Sequence, residues 1–389
     1  MSRPFHALIA LVALSMAGGC RSSDGEVASI AAEEGVTSEY GQIPPSLANA
    51  LERTHSNLAE ERISGIEGLG SPPDPRAFDR LSELLSDGQT DVMCEAAEAL
   101  SAIESTRVEA EPLLLAASLE EGGRRQSCLL SALAVVGGDL AVDGLSAALN
   151  DAEGSESINL IRTLGQIGRV SSAGPVIELL QASDEAVRAA AFEATMSLGP
   201  GTQDQVRPLL SSDDPAIRCL ATRLLAEWES EADRDQFRRL ARHDSNPQVV
   251  LCALGALGRL GDTDAVDDLV EALYADTARE QRLAAEGLAL ARTRVAIEAL
   301  IRALTHFHDD STENAAQLAL VQIGASALPA LREALPNGPP LRRALLAETL
   351  GLLNDRTAIP ALEQAAMDND PMVRRAANAA LEYMQGQDR

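Results

Sequence analysis

The chain has 389 residues, of which 46% are hydrophobic and only 2% aromatic, which disfavours a single thick core. All 32 basic residues are Arg, so Schiff-base lysines, the phosphate-loop Lys and kinase-type chemistry are excluded. With 59 acidic residues the net charge is −27, a sign that repels nucleic-acid phosphates, and nine aromatic rings offer little for base stacking.

Residues 1–19 carry one cation, Arg3, then an apolar run from Ala7 to Ala17 and small residues before Cys20. This is the pattern of a secretory signal, too short for a membrane span. The ending Ala17-Gly18-Gly19-Cys20 resembles the lipobox of bacterial lipoproteins, with Ala17 where Leu is usual. The resemblance implies cleavage before Cys20 and lipidation of that residue. The anchor would then be the chain's only contact with the membrane, on the outer side of the cytoplasmic membrane or in the outer membrane. Residues 20–44 follow as a Ser, Gly, Glu and Ala rich tether ending at Pro44.

From Pro45 the chain repeats itself. Leu100, Leu133, Leu164, Thr195, Leu225, Leu257, Leu288, Leu320, Leu350 and Leu381 recur about every 31 residues. Apolar spacings of three and four predict two amphipathic helices per unit. The first helix opens in four units with Ala-x-Pro, at Pro112, Pro175, Pro329 and Pro360, where a first turn tolerates proline. An acidic or Asn-Pro turn caps the second helix, as at Asp184-Glu185, Asp214-Pro215, Asn246-Pro247 and Asp370-Pro371. Gly168, Gly199, Gly261 and Gly324 end second helices, with Asn354 at the matching place in another unit. Gly165, Gly258 and Gly351 follow the middle anchor and predict close approach of neighbouring helices.

The Asp-x-Ala-Val/Ile-Arg turns, the Ala-rich stretches and the Leu-Gly-x-Ile-Gly ending at 164–168 resemble the HEAT repeat family, in its PBS lyase HEAT-like form. The resemblance implies an all-α fold, a right-handed α–α superhelix of about ten to eleven helix pairs. Residues 45–72 would form N-terminal capping helices and 73–389 the solenoid. It also implies a ladder in which Asp184, Asp214 and Asp370 and the arginines Arg188, Arg218 and Arg374 link neighbouring units. Such stacks bind long partners, most often proteins, through the concave surface that the second helices would line. An acidic surface would favour a basic or mixed-charge partner of a monomeric scaffold, with no nucleic acid, cofactor, metal or catalytic residue. A lyase-type enzyme related to the phycobilin lyases and a spacer without a specific partner are the alternatives.

Other candidates have local readings. His306, His308, Asp309 and Asp310 fall at an inter-helix turn and read as solvated, since two His two apart share no helix face. Arg234, Arg238, Arg239 and Arg242 form a basic stripe beside Glu229, Glu231, Asp233 and Asp235, which predicts local ion pairing. Trp228 holds a third anchor position and is expected in the core.

Cys94, Cys128, Cys219 and Cys252 lie early in second helices of adjacent units. Their offsets let each pair face one another as bridges, Cys94 to Cys128 and Cys219 to Cys252; the alternative is four small buried thiols. Thiol titration of denatured, unreduced mature protein is expected to find none of the four, and four titratable thiols would remove the bridges.

Overall fold

The computed structural model describes residues 44–306 and 314–386, with the backbone at 37–38 and 41–42. The signal segment and Cys20 lie outside the described residues. Within the expected tether, Thr37 pairs with Gln42 and Ser38 with Gly41 in a two-residue antiparallel ribbon. The chain divides into two compact units, Met1–Leu198 and Gly199–Arg389.

In the first unit the helices are α1 (Pro45–Arg53), α2 (Ala59–Glu67), α3 (Phe78–Leu84), α4 (Thr90–Ala102), α5 (Arg107–Glu120), α6 (Gly123–Val136), α7 (Asp139–Leu149), α8 (Gly154–Ile167), α9 (Ala173–Glu178) and α10 (Glu185–Leu198). In the second unit they are α11 (Gln203–Val206), α12 (Pro215–Glu227), α13 (Arg234–His243), α14 (Pro247–Arg259), α15 (Thr263–Ala272) and α16 (Ala278–Ala291). They continue as α17 (Arg294–Ala303), α18 (Ala315–Ile323), α19 (Leu328–Ala334), α20 (Pro340–Leu352), α21 (Ile359–Ala365) and α22 (Pro371–Gly386). Odd-numbered helices are the first of each pair and even-numbered the second. Each first helix packs on its own second helix, and successive second helices pack on one another within each unit. The architecture in each unit is therefore an α–α superhelix. Pair α1–α2 begins the first stack, with α2 resting on α4.

Why these segments are helical is visible at their ends. Asp214, Asn246 and Asn314 accept from the backbone N–H groups of Ala216, Gln248 and Gln317. Thr277 caps α16, its Oγ1 accepting from the Glu280 N–H while its hydroxyl donates to the Glu280 carboxylate. Gly168 ends α8 at φ 72°, and Asn354 takes φ 49° where glycine ends other units.

One expected start is displaced. Helix α5 begins at Arg107, which leaves Pro112 in the helix interior and not in its first turn. The neighbouring Glu111 Oε1 accepts from Gly138 and Ala141 N–H, at 2.7 Å each, and so caps α7 of the next pair. The extra turn places that carboxylate.

The core is a row of leucines and alanines between the helices. Leu100, Leu133, Leu164, Leu225, Leu288, Leu320 and Leu350 are fully buried, as is Thr195, whose hydroxyl donates to the Ala191 carbonyl. Small residues set the spacing: a Cβ added to Gly165 would meet the Ala194 Cα at 2.7 Å, and one on Gly351 the Ala380 Cβ at 2.7 Å. A backbone-to-backbone approach joins α14 to α16, where a Cβ on Gly255 would lie 2.6 Å from the Gly287 carbonyl oxygen. This draws α16 close enough to touch α12 past the intervening helix. Arg292 at the end of α16 accordingly pairs with Glu227 at the end of α12, at 2.8 Å.

Gly255→Ala is expected to cost about 1–3 kcal/mol because backbone must move, whereas Gly174→Ala, with nothing within 4 Å of the new methyl, is expected to be neutral or slightly stabilising. Urea midpoints followed by circular dichroism check the contrast.

Candidate functional site

The turn residues divide their work differently from the expected ladder. Asp184, Asp214 and Asp370 each accept from backbone N–H groups two residues on, so they cap the second helix and do not pair with the arginines. Arg188, Arg218 and Arg374 each donate to two carbonyls of their own turn: Ala182 and Ser183, Ser212 and Asp213, Asp368 and Asn369. Of the three, Arg218 also reaches the next turn, donating to both oxygens of Asp244 at 2.8 Å.

The carboxylates that receive such arginines open the turn, two residues before the expected Asp in the last unit. Arg62 pairs with Asp87, Arg218 with Asp244, and Arg343 with Asp368. The turn after Arg188 has Ser212 at this position. A second set, absent from the sequence reading, uses first helices. Arg207 donates to buried Asp233 at 2.6 Å, and Arg332 to buried Asp355 at 2.9 Å. The signal was available as an Arg followed by an Asp at the start of the next first helix, 26 and 23 residues on.

The structure joins Cys94 to Cys128 and Cys219 to Cys252, with Cα atoms 5.5 and 5.7 Å apart. Beside the first pair, Glu95 is held above the usual carboxylate range by burial and by the like charges of Glu98, Glu67 and Asp91. The basic stripe on α13 is locally paired: Arg234 with Glu231 and Arg238 with Asp235, while Arg239 donates to Gln236. Trp228 is half-buried at the end of α12 and not in the core, because the helix stops there and Leu224 and Leu225 fill the interior. His306 packs its ring edge-on to Tyr274 at 4.9 Å; His308, Asp309 and Asp310 lie outside the described residues.

The second pair of cysteines leads to a recess. A cavity of about 350 Å³ crosses α12, α14, α16 and α18 on the exposed face of the second helices. Cys219, Cys252, Leu283, Gly287, Leu290, Ala315 and Ala319 make its apolar wall, and Leu318 stands 48% exposed beside them. Arg223, Gln248, Arg282, Glu286 and Gln322 supply the polar groups. Gly287 lies in this wall, and a Cβ there would meet the buried Leu269 side chain at 2.7 Å and the Leu251 carbonyl oxygen at 2.9 Å. Such a site can hold apolar side chains and offer hydrogen-bond donors at its rim; it aligns no nucleophile with a base. None of its residues was singled out in sequence except the cysteines.

The fold and this face define an α–α superhelical repeat protein with a recessed second-helix surface. Residues 204–289, from α11 into α16, match the HEAT repeats family profile, which supports the HEAT type of the units. Comparison with curated proteins returns no match. Among solved structures, an engineered protein is similar at 18% identity with a TM-score of 0.30, over 88% of this chain and 99% of its own. Kap121p is similar at 13% identity and a TM-score of 0.48, over 88% of this chain and 46% of its own, so this chain spans less than half of that protein. Human deoxyhypusine hydroxylase in complex with glycerol is similar at 19% identity and a TM-score of 0.28, over 72% of this chain and 98% of its own. Among the described residues no helix is long and apolar enough to cross a membrane.

The Arg218–Asp244 pair makes a stability prediction. Hydrogen bonds from Arg218, joined by one from the Asn246 N–H and opposed by burial, hold the Asp244 carboxyl below its usual range. A carboxyl in the unfolded chain titrates near about 3.9, so the pair's contribution is full above that pH and fades as pH falls through it towards the folded value. Arg218→Ala is expected to cost about 1–3 kcal/mol at pH 7. Urea titrations should show the gap to the parent narrowing between about pH 5 and about pH 3.

Proposed function

We propose that the protein is a HEAT-repeat scaffold of the cell envelope, anchored through lipid on Cys20, that binds a protein partner along the exposed face of its second helices. The observation that carries this reading is the recess across α12, α14, α16 and α18, where four successive units contribute apolar and polar side chains to one surface. A stack of thin units offers a surface longer than any one of them, which suits an elongated protein partner better than a small substrate. The acidic balance of the chain, at −27, favours a partner with a basic or mixed-charge surface. Binding by shape and charge needs no cofactor or catalytic group, and a monomer suffices for it. Lipidation sets the location: several acyl chains hold a protein at a membrane far better than one, and the tether of residues 20–44 sets the stack away from the surface.

The test is a photo-crosslinking residue placed at Leu318 in the full-length protein in its native envelope. Val108, 80% exposed on first helix α5, serves as the control position. A discrete adduct from position 318, absent from 108 and identified as one envelope protein, is expected. No adduct, or the same adducts from both positions, would leave a spacer. In the same cells Cys20→Ser is expected to move the protein from the membrane to the soluble fraction.

A further inference from the structure

Resting on the reading of the recess as a partner-binding surface, we propose that it receives an extended segment of the partner that carries apolar and acidic side chains. The first ground is a local inversion of charge. In the chain acidic residues outnumber arginines, 59 to 32, yet the charged residues lining the recess are Arg223, Arg282 and Glu286. A basic segment drawn to the protein at large would meet two guanidinium groups here, whereas carboxylates find complementary charge.

The second ground is the availability of Arg282. Its side chain is 63% exposed and stands 3.9 Å from Glu286, one helical turn towards the C-terminus. An exposed pair of this kind contributes little, and the cation preceding the acid is the weaker order on a helix. An incoming carboxylate can take over that guanidinium at small cost, and as a fork it can be met by two parallel N–H donors.

The third ground is the length and lining of the surface. With stacked helices about 8–10 Å apart, four second helices span roughly 25–30 Å, and an extended chain rising about 3.3 Å per residue covers this with eight or nine residues. A compact ligand would touch one or two helices. Leu318 and the wall of Leu283, Leu290, Ala315 and Ala319 provide seats for alternate apolar side chains. In sequence register the position that Leu290 holds in α16 is Gln322 in α18 and is apolar again beyond it, as Leu352 in α20 and Tyr383 in α22, 57% and 49% exposed. The same face carries an acid at Glu348, which in register corresponds to Glu286, so the complementarity to carboxylates belongs to the recess.

Fluorescence anisotropy with the mature protein tests this. The probes are three labelled ten-residue peptides built on one Ser and Leu framework, with Glu, Gln or Arg at the variable positions. The Glu peptide is expected to bind roughly tenfold tighter than the Arg peptide, with the Gln peptide between them. Arg282→Glu, a change on an exposed side chain, is expected to abolish or reverse that order, and Leu318→Ser to weaken all three. Equal or tighter binding of the Arg peptide, an unchanged order in Arg282→Glu, or no binding of any peptide would overturn the proposal. The outcome is separable from that of the crosslink: an adduct at position 318 together with a preference for the Arg peptide keeps the scaffold and removes the acidic segment. Loss of the adduct removes the scaffold whatever the peptides do.

Discussion

Close contact between successive second helices is the constraint on which the structure depends. A helix pair of this size has too little interior to be stable alone, so each unit draws its core from its neighbours. That core is assembled mainly from Leu and Ala, and its tightness comes from places where a side chain is missing. Gly165 against Ala194, Gly351 against Ala380 and Gly255 against Gly287 bring backbones together at distances a methyl group would prevent. In the second unit this closeness has a consequence beyond packing. Helices α12 and α16 touch past α14, and Arg292 can reach Glu227 sixty-five residues earlier.

Polar bonding follows the same economy of neighbours. Asp184, Asp214 and Asp370 satisfy free N–H groups of their own helices, while Arg188, Arg218 and Arg374, six residues after the first position of each turn, satisfy that turn's carbonyls. What remains of the guanidinium can serve the next unit, and it does so where that unit opens with a carboxylate, as Asp87, Asp244 and Asp368 do. Arg207 with Asp233 and Arg332 with Asp355 repeat the arrangement at the first helices. Both sets are extensions of capping, which explains why arginine, with five donors in a fixed fork, is used throughout.

The recess arises from these packing choices. Gly287 lies in its wall and is small because α14 and α15 lie against α16: a Cβ there would meet the Leu251 carbonyl oxygen and the Leu269 side chain. The disulfide of Cys219 and Cys252 ties α12 to α14 along the same wall. The close packing of α12, α14 and α16 thus sets the backbone that lines the surface available to a partner. The electrostatics there are local: two guanidinium groups and one carboxylate in a strongly acidic chain.

The repeat, the number of helix pairs, the caps at Asp214 and Asn246 and the turn at Asn354 were all legible in the sequence. Helix periodicity and capping depend on residues within one turn of each other, and a period of about 31 residues repeats that local information many times over. The proximity of the cysteines was legible for a related reason, since the stack keeps a fixed relation between one unit and the next. Trp228 and Pro112 show the limit: a helix ending one residue early or starting one turn early depends on neighbours that the periodic pattern does not specify. Tertiary structure alone decided which carboxylate meets which arginine and where the exposed face becomes hollow. Those outcomes rest on distances of a few ångströms between side chains far apart in the chain, and such distances are set by how closely the backbones meet.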